Sequence, residues 1–287
     1  MAGKIGVIGG SGIYNIEGLA GAESKKIKTP FGEPSGAYRM GKLDGAEVVF
    51  LPRHGQDHTI SPSEINYRAN IFGMKVLGVE RLISVSACGS LKKELAPLDF
   101  VLPDQFVDRT NSARLMSFFT GGIVAHVGFA DPVCKDMAKS IYNSAKKLGL
   151  NVHLGGIYIN MEGPAFSTRA ESNLYRSWGM DIIGMTNIAE AMLAREAEMC
   201  YATVAAITDY DCWYETGESV TVEMVMSNLK KNADNGKKLL KEVLSSLTGP
   251  CSCGCQDALK YAIVTAKDAI APSIKKRLKP IIGKYGI

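Results

Sequence analysis

The sequence predicts an α/β domain in which helices flank a mixed or mostly parallel central β-sheet. Short runs rich in Val, Ile and aromatic residues alternate with segments of helical periodicity, and this alternation is typical of layered α/β folds. Apolar residues make up 46% of the 287 residues, enough for a substantial core. No repeat or low-complexity linker divides the chain, so we predict one domain over residues 1–266 and a C-terminal extension over residues 267–287.

The predicted strands are apolar runs bounded by Gly or Pro. They cover residues 4–8, 46–51, 81–86, 98–107, 152–160, 181–185 and 199–208. Ligands of α/β proteins bind beyond the carboxyl ends of the strands. The residues that directly follow these runs are therefore the first candidates for a functional site.

The predicted helices begin at capping signals. Ser61 with Glu64, and Thr168 with Glu171, match the capping box, in which a hydroxyl and a carboxylate each accept a backbone N–H of the other residue. Pro62 follows at the first helical position. Further helices are predicted over residues 131–149, 188–198 and 221–246.

The net charge of +4 comes from the C-terminal extension, because residues 267–287 hold six basic residues and one acidic residue. We interpret this segment as a solvated amphipathic end and expect no nucleic-acid partner. The chain has no apolar run of 18 residues and no signal-peptide pattern at its N-terminus. We therefore expect no membrane association and a cytoplasmic location.

Seven cysteines raise the question of a metal site or of disulfides. Four lie in apolar context, where a thiol packs as a small hydrophobe: Cys88, Cys134, Cys200 and Cys212. The other three form C-S-C-G-C: Cys251, Cys253 and Cys255. This is not the C-x2-C spacing of a zinc ribbon, and no second cluster completes four ligands, so we predict no metal. A disulfide within the cluster is left open, although such bonds are rare in the cytosol.

Three strand ends carry residues that suit an anion. Ser11 lies in a G-G-S-G turn, where backbone N–H groups can approach an anion and the hydroxyl adds a donor. Arg53 and His54 follow the second predicted strand, and a guanidinium fork matches phosphate geometry. Ser86 and Ala87 end the third strand. Each motif alone could be an ordinary turn, but three such ends favour one anion site.

Metal binding is the alternative at two places. His54 and His58 have His-x3-His spacing, but Gly55 breaks the helix that would align the two rings. Asp209 and Asp211 end the last predicted strand, and on an extended backbone their carboxylates point the same way. They could bind a cation, act as an acid pair or cap a turn. No third acidic ligand is evident, which argues against a metal.

Two further segments carry residues that suit a nucleoside. Phe166, in a Gly-Pro-containing loop before a capped helix, offers an aromatic face for a planar base. Met185 and Thr186 follow another strand, where Met185 could lie under a sugar and Thr186 could donate to phosphate. The alternatives are a structural capping loop and a core methionine.

Taken together and in this order, these segments resemble the methylthioadenosine phosphorylase branch of the trimeric purine nucleoside phosphorylases. The similarity covers residues 4 to about 265. The matching segments are IGVIGGSGIY, TPFG, PRHGQDHTISPSEINYRANI, SACGSL, DQFVDRT, MEGPAFSTRAES, WGMDIIGMT and AREAEMCYATVAAITDYDCW.

The resemblance implies a nucleoside phosphorylase-like fold and phosphorolysis of 5'-methylthioadenosine to adenine and 5-methylthioribose 1-phosphate. It implies a trimer or a dimer of trimers, and no cofactor, since inorganic phosphate is a co-substrate. The implied phosphate ligands are Ser11, Arg53, His54, Ser86, Ala87 and Thr186, with Met185 at the ribose. The implied purine pocket is Phe166, Ser167, Asp209 and Asp211. The implied 5'-substituent pocket is His126, Val222 and Val225, with His126 reaching a neighbouring subunit's site.

The aspartates bear on base selection. Adenine presents an amino donor at C6, which a carboxylate accepts, whereas a 6-oxopurine presents an acceptor that a carboxylate repels. Relatives that cleave 6-oxopurine nucleosides have asparagine in the place of Asp209. The resemblance implies that Asp209, protonated in a dry pocket, donates to N7 of the leaving purine while Asp211 orients it.

Two other functions stay open from the sequence. One is a broader purine nucleoside phosphorylase that accepts adenosine, inosine or guanosine, since the sequence does not define the shape of the 5'-pocket. The other is a non-catalytic sensor of nucleosides or phosphate that uses the same loops.

Overall fold

The computed structural model of the chain describes residues 3–10, 13, 18–111, 114–214, 222–247, 249 and 252–287, with backbone alone for residues 222–225. Within these ranges the chain forms eleven strands and six α-helices. The strands are β1 (Lys4–Gly9), β2 (Ala20–Lys25), β3 (Tyr38–Leu43), β4 (Ala46–Pro52), β5 (Val79–Ser90), β6 (Phe100–Leu102), β7 (Gln105–Arg109), β8 (Val152–Leu154), β9 (Ile157–Met161), β10 (Ile182–Gly184) and β11 (Cys200–Asp209). The helices are α1 (Tyr67–Val76), α2 (Lys135–Lys147), α3 (Arg169–Ser177), α4 (Asn187–Glu196), α5 (Val222–Ser246) and α6 (Pro272–Ile282).

The strands form one mixed sheet, which confirms the predicted fold class. Its main path runs β2-β3-β4-β1-β5-β10-β9-β7, while β11 pairs with β5 and β6, and β6 pairs with β8. The long strand β5 lies between β1 and β11, parallel to both, and its last residues turn to pair antiparallel with β10. The carboxyl ends of these strands therefore meet where the sheet branches.

Several predicted strand boundaries are wrong. The predicted strand 98–107 is two strands, because Pro103 lacks the N–H needed to continue the ladder. The predicted strand 152–160 is divided at Gly155 and Gly156, whose φ angles of 91° and 121° leave the extended region. The strands β2 and β3 were not predicted. Every residue of β2 is exposed, so that strand has no apolar pattern.

The capping signals have two outcomes. The Thr168–Glu171 capping box is confirmed at the start of α3, where both reciprocal bonds are present. At Ser61 and Glu64 the box is incomplete, because the Ser61 N–H donates to Glu64 Oε2 at 3.1 Å but the Glu64 N–H donates to the Ser61 carbonyl at 3.0 Å and closes a turn. Helix α1 begins at Tyr67 instead, with Asn66 as the N-cap that accepts from the backbone N–H of Ala69. A second helix, predicted from residue 131, begins only at Lys135.

Two apolar clusters cover the two faces of the sheet. Alternate residues of β4 divide between them: Val48 and Phe50 face α2 and α5, while Val49 and Leu51 face α1, α4 and α6. This alternation places the sheet at the centre of the molecule. Among the described residues, no helix has both the length and the apolar character needed to cross a bilayer.

The C-terminal segment packs against the body of the chain. Ile274, Leu278, Ile281 and Ile282 of α6 are buried in the cluster that α1 and α4 share. The lysines of the helix remain at the surface or partly exposed. The prediction that residues 267–287 form a basic C-terminal extension, apart from the domain of residues 1–266, stays a prediction.

Four cysteines that are distant in sequence come together. Their Sγ atoms all lie within 4.8 Å of one another: Cys134, Cys200, Cys253 and Cys255. The prediction that no second cluster completes four ligands is therefore wrong. The reason is tertiary: the backbone N–H of Cys134 donates to the Tyr201 carbonyl at 2.8 Å, which joins the start of α2 to the start of β11.

Candidate active site

A cavity of about 570 Å³ lies beyond the carboxyl ends of β1, β4, β5, β9, β10 and β11. Nine of the fourteen predicted site residues line it: Arg53, His54, Ser86, Ala87, Phe166, Met185, Thr186, Asp209 and Asp211. Two others do not, namely Ser167 and His126. Ser11 lies outside the described residues, as do the side chains of Val222 and Val225.

Arg53 lies at the buried end of this cavity and is paired with a carboxylate that the sequence did not reveal. Its Nε donates to Glu190 Oε1 at 2.5 Å and its Nη2 donates to Oε2 at 3.1 Å. Nη2 also donates to Ser84 Oγ at 2.7 Å, and Nη1 donates to the Val85 carbonyl at 3.2 Å. Counted over the described residues, these partners take four of the five N–H groups. One N–H on Nη1 is left for a ligand.

Both members of this pair are almost fully buried, with side-chain exposures of 1%. Burial by itself lowers the pKa of Arg53, but the charge of Glu190 outweighs burial and raises it above its usual value. The guanidinium therefore stays charged. Ser84 Oγ donates to Glu190 Oε2 at 2.6 Å, and Asn187 Nδ2 donates to Ser84 Oγ at 3.0 Å. This network fixes the position of the arginine.

His54 is a neutral ring at this end of the cavity. Its Nδ1 lies 2.8 Å from the Ile60 carbonyl, an acceptor, so the proton is on Nδ1 and Nε2 carries the lone pair. Burial, followed by the charge of Arg53, lowers the pKa of His54 to about 4. Its ring stacks on His58 with centroids 4.3 Å apart. At neutral pH the free nitrogen of His54 is an acceptor for a ligand hydroxyl.

Two hydroxyl residues add donors for an oxyanion. Thr186 is buried, lines the cavity and is the N-cap of α4, so the positive end of that helix faces this region. Its Oγ1 donates to Asn187 Oδ1 at 3.3 Å, a long bond that a bound oxyanion would replace. Ser86 is buried as well, and its Oγ, near the Tyr158 hydroxyl, makes no hydrogen bond of normal geometry within the described part of the chain. A buried donor without a partner is costly. A bound oxyanion would satisfy it.

The two aspartates lie at the other side of the cavity and differ in environment. Asp209 Oδ1 accepts from the Asp211 backbone N–H at 2.8 Å, and Oδ2 accepts from Thr208 Oγ1 at 2.7 Å. Asp211 has a left-handed backbone with φ of 49°, a strained conformation that is common at functional sites. Burial raises the pKa of Asp211, and the neighbouring Asp209 charge adds to this.

The ribose candidate Met185 is held by residues that the sequence reasoning missed. Arg114 Nη1 donates to the Met185 carbonyl at 2.5 Å, and Nη2 donates to the Glu162 carbonyl at 2.6 Å. Gly163 has φ of 72°, and a Cβ there would lie 2.5 Å from Met185 Sδ. Glu162 and Gly163 belong to the matched segment MEGPAFSTRAES. Arg114 lies outside every matched segment, so no sequence signal marked it.

Comparison with known proteins identifies the family. A family model described as the phosphorylase superfamily matches residues 4–245. A Geobacter sulfurreducens protein named S-methyl-5'-thioadenosine phosphorylase is 54% identical over 98% of both chains. This chain belongs to the methylthioadenosine phosphorylase family.

The similarity to solved methylthioadenosine phosphorylases extends over nearly the whole chain. One from an Antarctic soil metagenome has a TM-score of 0.93 and 45% identity, covering 98% of this chain and 99% of the other. Another, from Schistosoma mansoni and in complex with adenine, has a TM-score of 0.83 and 33% identity, covering 92% and 99%.

Not every residue that the methylthioadenosine phosphorylase resemblance marked lies in the cavity. Phe166 is at its rim and is 80% exposed. Ser167 does not line it, although its hydroxyl donates to Sδ of Met161, a lining residue, at 3.7 Å. The backbone N–H of His126 donates to the Ala262 carbonyl at 2.8 Å, on a separate surface. The prediction that His126 reaches a neighbouring subunit's site stays a prediction.

Proposed function

We propose that this chain cleaves 5'-methylthioadenosine with inorganic phosphate, giving adenine and 5-methylthioribose 1-phosphate. The observation that carries the proposal is a single cavity with oxyanion donors at one side and a carboxyl pair at the other. A nucleoside cleaved by phosphate needs both: an anion held near the sugar and a proton source near the base. The family membership and the adenine complex of the Schistosoma mansoni relative support the same assignment.

The oxyanion side would bind and orient phosphate. Arg53 contributes one N–H and a fixed positive charge, while Ser86 and Thr186 contribute hydroxyls. Ser11, outside the described residues, is proposed as a further donor. Phosphate held here stabilises the positive charge that develops on the ribose as the bond from C1' to N9 stretches. A phosphate oxygen then forms a bond to C1', and the electron pair of the broken bond leaves with adenine.

His54 fits the protonation state of this nucleophile. Because its Nε2 is an acceptor, it can take a hydrogen bond from the hydroxyl of hydrogen phosphate or from a ribose hydroxyl. A charged imidazolium is not required, since Arg53 already supplies the positive charge. This division of roles allows the site to hold a dianion that still carries one proton.

The carboxyl pair would supply the proton that adenine needs at N7. Burial raises the pKa of Asp211, and its backbone N–H donates to Asp209 Oδ1 at 2.8 Å. We propose that the pair acts as one acid, with Asp209 facing the purine and Asp211 maintaining the proton supply. Proton donation of this kind typically contributes about 10²–10⁴ in rate. No organic cofactor or metal takes part in this proposed reaction, because phosphate is the nucleophile.

We propose a homotrimer or a dimer of trimers located in the cytoplasm. Support for assembly comes from large apolar side chains that are exposed where residues 124–126 lie beside residues 262–264: Val124, Tyr261 and Val264. His126 belongs to this surface, since residues 124–126 lie beside residues 262–264. In the proposed assembly this surface contacts a second copy, and His126 reaches the 5'-substituent there.

The test is an assay of adenine release. We expect release from methylthioadenosine with phosphate present and none when phosphate is omitted. Binding of methylthioadenosine without turnover would show that the protein is a non-catalytic sensor and not an enzyme. Turnover of inosine at the same kcat/KM would replace the narrow specificity with a broad purine nucleoside phosphorylase while leaving the reaction class intact.

A further inference from the structure

The cysteine cluster lies at a junction of three distant segments. Cys134 is the N-cap of α2, Cys200 opens β11, and Cys253 and Cys255 follow α5. Three of the four are buried, and Cys253 is half-buried. The Sγ atom of Cys253 lies 3.5 Å from that of Cys134 and 3.3 Å from that of Cys200.

These separations match a metal centre better than a disulfide. A disulfide requires sulfurs about 2.05 Å apart. Four thiolates at about 2.3 Å from a tetrahedral zinc ion lie about 3.8 Å from one another. The Sγ atom of Cys253 is thus equally close to two other sulfurs, and all four fall within 4.8 Å. The two short separations are slightly below the tetrahedral value, and all four sulfurs lie close enough together to bind one ion after a small adjustment.

We propose that Cys134, Cys200, Cys253 and Cys255 bind one Zn²⁺ ion as a closed structural site. Tetrahedral sets of four sulfurs favour zinc or iron–sulfur centres, and a set with all four positions taken by protein leaves no open position for a substrate. Binding releases four thiol protons and changes no oxidation state, so no other reactant is needed. The positive N-terminal end of α2, at Cys134, stabilises the net negative charge of the complex.

The site would tie the C-terminal segment to the body of the protein. Residues 252–287 follow α5, and Cys253 and Cys255 connect this segment to the starts of α2 and β11. The cavity is remote, because Cys200 and Asp209 are at opposite ends of β11. A strand of ten residues spans about 30 Å. The ion would therefore act on stability and not on the chemistry of the cavity.

The first test is the metal content of the full-length protein purified without chelators or affinity metals. We expect about one zinc per chain by mass spectrometry of the acid-digested protein. A thiol-modifying mercurial should release it, and replacement by Co²⁺ should give the visible absorption of tetrahedral cobalt thiolates. Zinc below about one-tenth per chain after growth with added zinc would overturn the proposal. So would iron in its place, or an intact mass lower by two hydrogens for each disulfide.

Variants identify the ligands. We expect Cys255→Ser and Cys134→Ser to lose the zinc and to lower Tm by about 5 °C or more. Cys255→His keeps four ligands and should retain the metal even if the serine variants do not fold. The matched control is Cys212→Ser, whose thiol donates to the Ser167 carbonyl at 3.4 Å, outside the cluster. Zinc retained in the two serine variants, or lost in the control, would contradict the assignment. Cys251 lies outside the described residues and is not assigned.

Discussion

Arg53 and Glu190 form a two-point ion pair at the buried end of the cavity, across 137 positions of sequence. The pair has two consequences for a phosphate site. It fixes the guanidinium in one orientation, and it holds a positive charge at a depth where an unpaired arginine would be strongly destabilising. Phosphate bound at the proposed site would therefore meet a single N–H group of Arg53, because the other four N–H groups already have partners.

Removing the carboxylate of this pair should destabilise the protein. In Glu190→Gln the charge of Arg53 is buried without compensation, and breaking a buried pair from one side typically costs about 3–5 kcal/mol. We expect the free energy of unfolding to fall by about 3 kcal/mol or more in urea titrations. The control is Glu242→Gln, which removes the partner of the exposed Lys147 and should cost less than about 1 kcal/mol. Equal losses of unfolding free energy in the two variants would show that the buried pair stabilises the protein no more than an exposed pair does.

Ser86→Ala should separate binding from stability. The buried Ser86 Oγ makes no hydrogen bond of normal geometry within the described part of the chain, so its removal should leave the unliganded protein as stable or slightly more stable. The KM for phosphate should rise about 5–10-fold, because one hydrogen bond to the ligand contributes about 1 kcal/mol. The control on the same strand is Ser90→Ala. Its hydroxyl donates to the Lys92 carbonyl at 2.6 Å, so Tm should fall while phosphate KM stays constant. The same response in both variants would argue against Ser86 as a phosphate ligand.

The sequence allowed the location of the site to be predicted, because carboxyl ends of parallel strands meet at one edge of a sheet. Arg53, Thr186 and Asp209 each follow an apolar run and each lines the cavity. The supporting residues could not be predicted. Glu190 and Arg114 act through partners that are distant in sequence, and neither lies in a local motif that marks its role. Only the tertiary structure defines these pairs.

The lack of a local sequence signal also explains the errors in predicting the fold. Residues of β2 are all exposed, so no alternation of apolar and polar residues marked that strand. The start of α1 was misplaced because Ser61 and Glu64 have the spacing of a capping box, whereas in the fold the Glu64 N–H donates to the Ser61 carbonyl and closes a turn, and the helix begins only after the cap at Asn66. Cys134 and Cys200 look like packing residues until the fold brings them to Cys253.

The buried His54 should make stability depend on pH between about 4 and 6.5. Its pKa is lowered to about 4 in the folded chain, so the unfolded chain binds the proton more tightly. The stability that the neutral His54 contributes is fully present above the pKa of the unfolded chain, about 6.5, and is lost as pH falls through the pKa of the folded chain, about 4. For a partly exposed ring we expect this loss to be about 1–2 kcal/mol.

The measurement is the difference in unfolding free energy between wild type and His54→Gln at pH 7 and at pH 4.5. A difference is needed because Glu196, whose pKa burial raises to about 7, contributes a slope of the opposite sign. We expect the variant to lose less stability than wild type on acidification. A variant slope equal to that of wild type would contradict the neutral state assigned to His54.

Asp209→Asn should change the choice of base. The amide can accept at only one atom, so it cannot keep both the Thr208 and Asp211 bonds and also accept from adenine. We expect kcat/KM for methylthioadenosine to fall at least about tenfold, with a smaller fall or a gain for the 6-oxopurine analogue. Asp211→Asn should lower kcat/KM for both substrates, because it removes the carboxyl group whose pKa burial raises. Unchanged kinetics with methylthioadenosine in Asp209→Asn would contradict the assignment of this carboxylate to the purine.

Gly163→Ala tests whether Met185 must keep its position against the backbone. Two effects act at this glycine: a left-handed φ of 72° and a Cβ that would meet Met185 Sδ at 2.5 Å. Gly149 has nearly the same φ, 69°, with open space around it, so Gly149→Ala isolates the backbone effect. That control should cost about 1 kcal/mol of stability and leave kcat/KM unchanged.

Gly163→Ala should cost the same backbone strain and, in addition, displace the Met185 side chain from the ribose side of the cavity. We expect its kcat/KM to fall about tenfold or more, because a displacement of about 1 Å can cost 10²-fold. If the two variants had equal kcat/KM, the contact between Gly163 and Met185 would have no part in positioning the substrate.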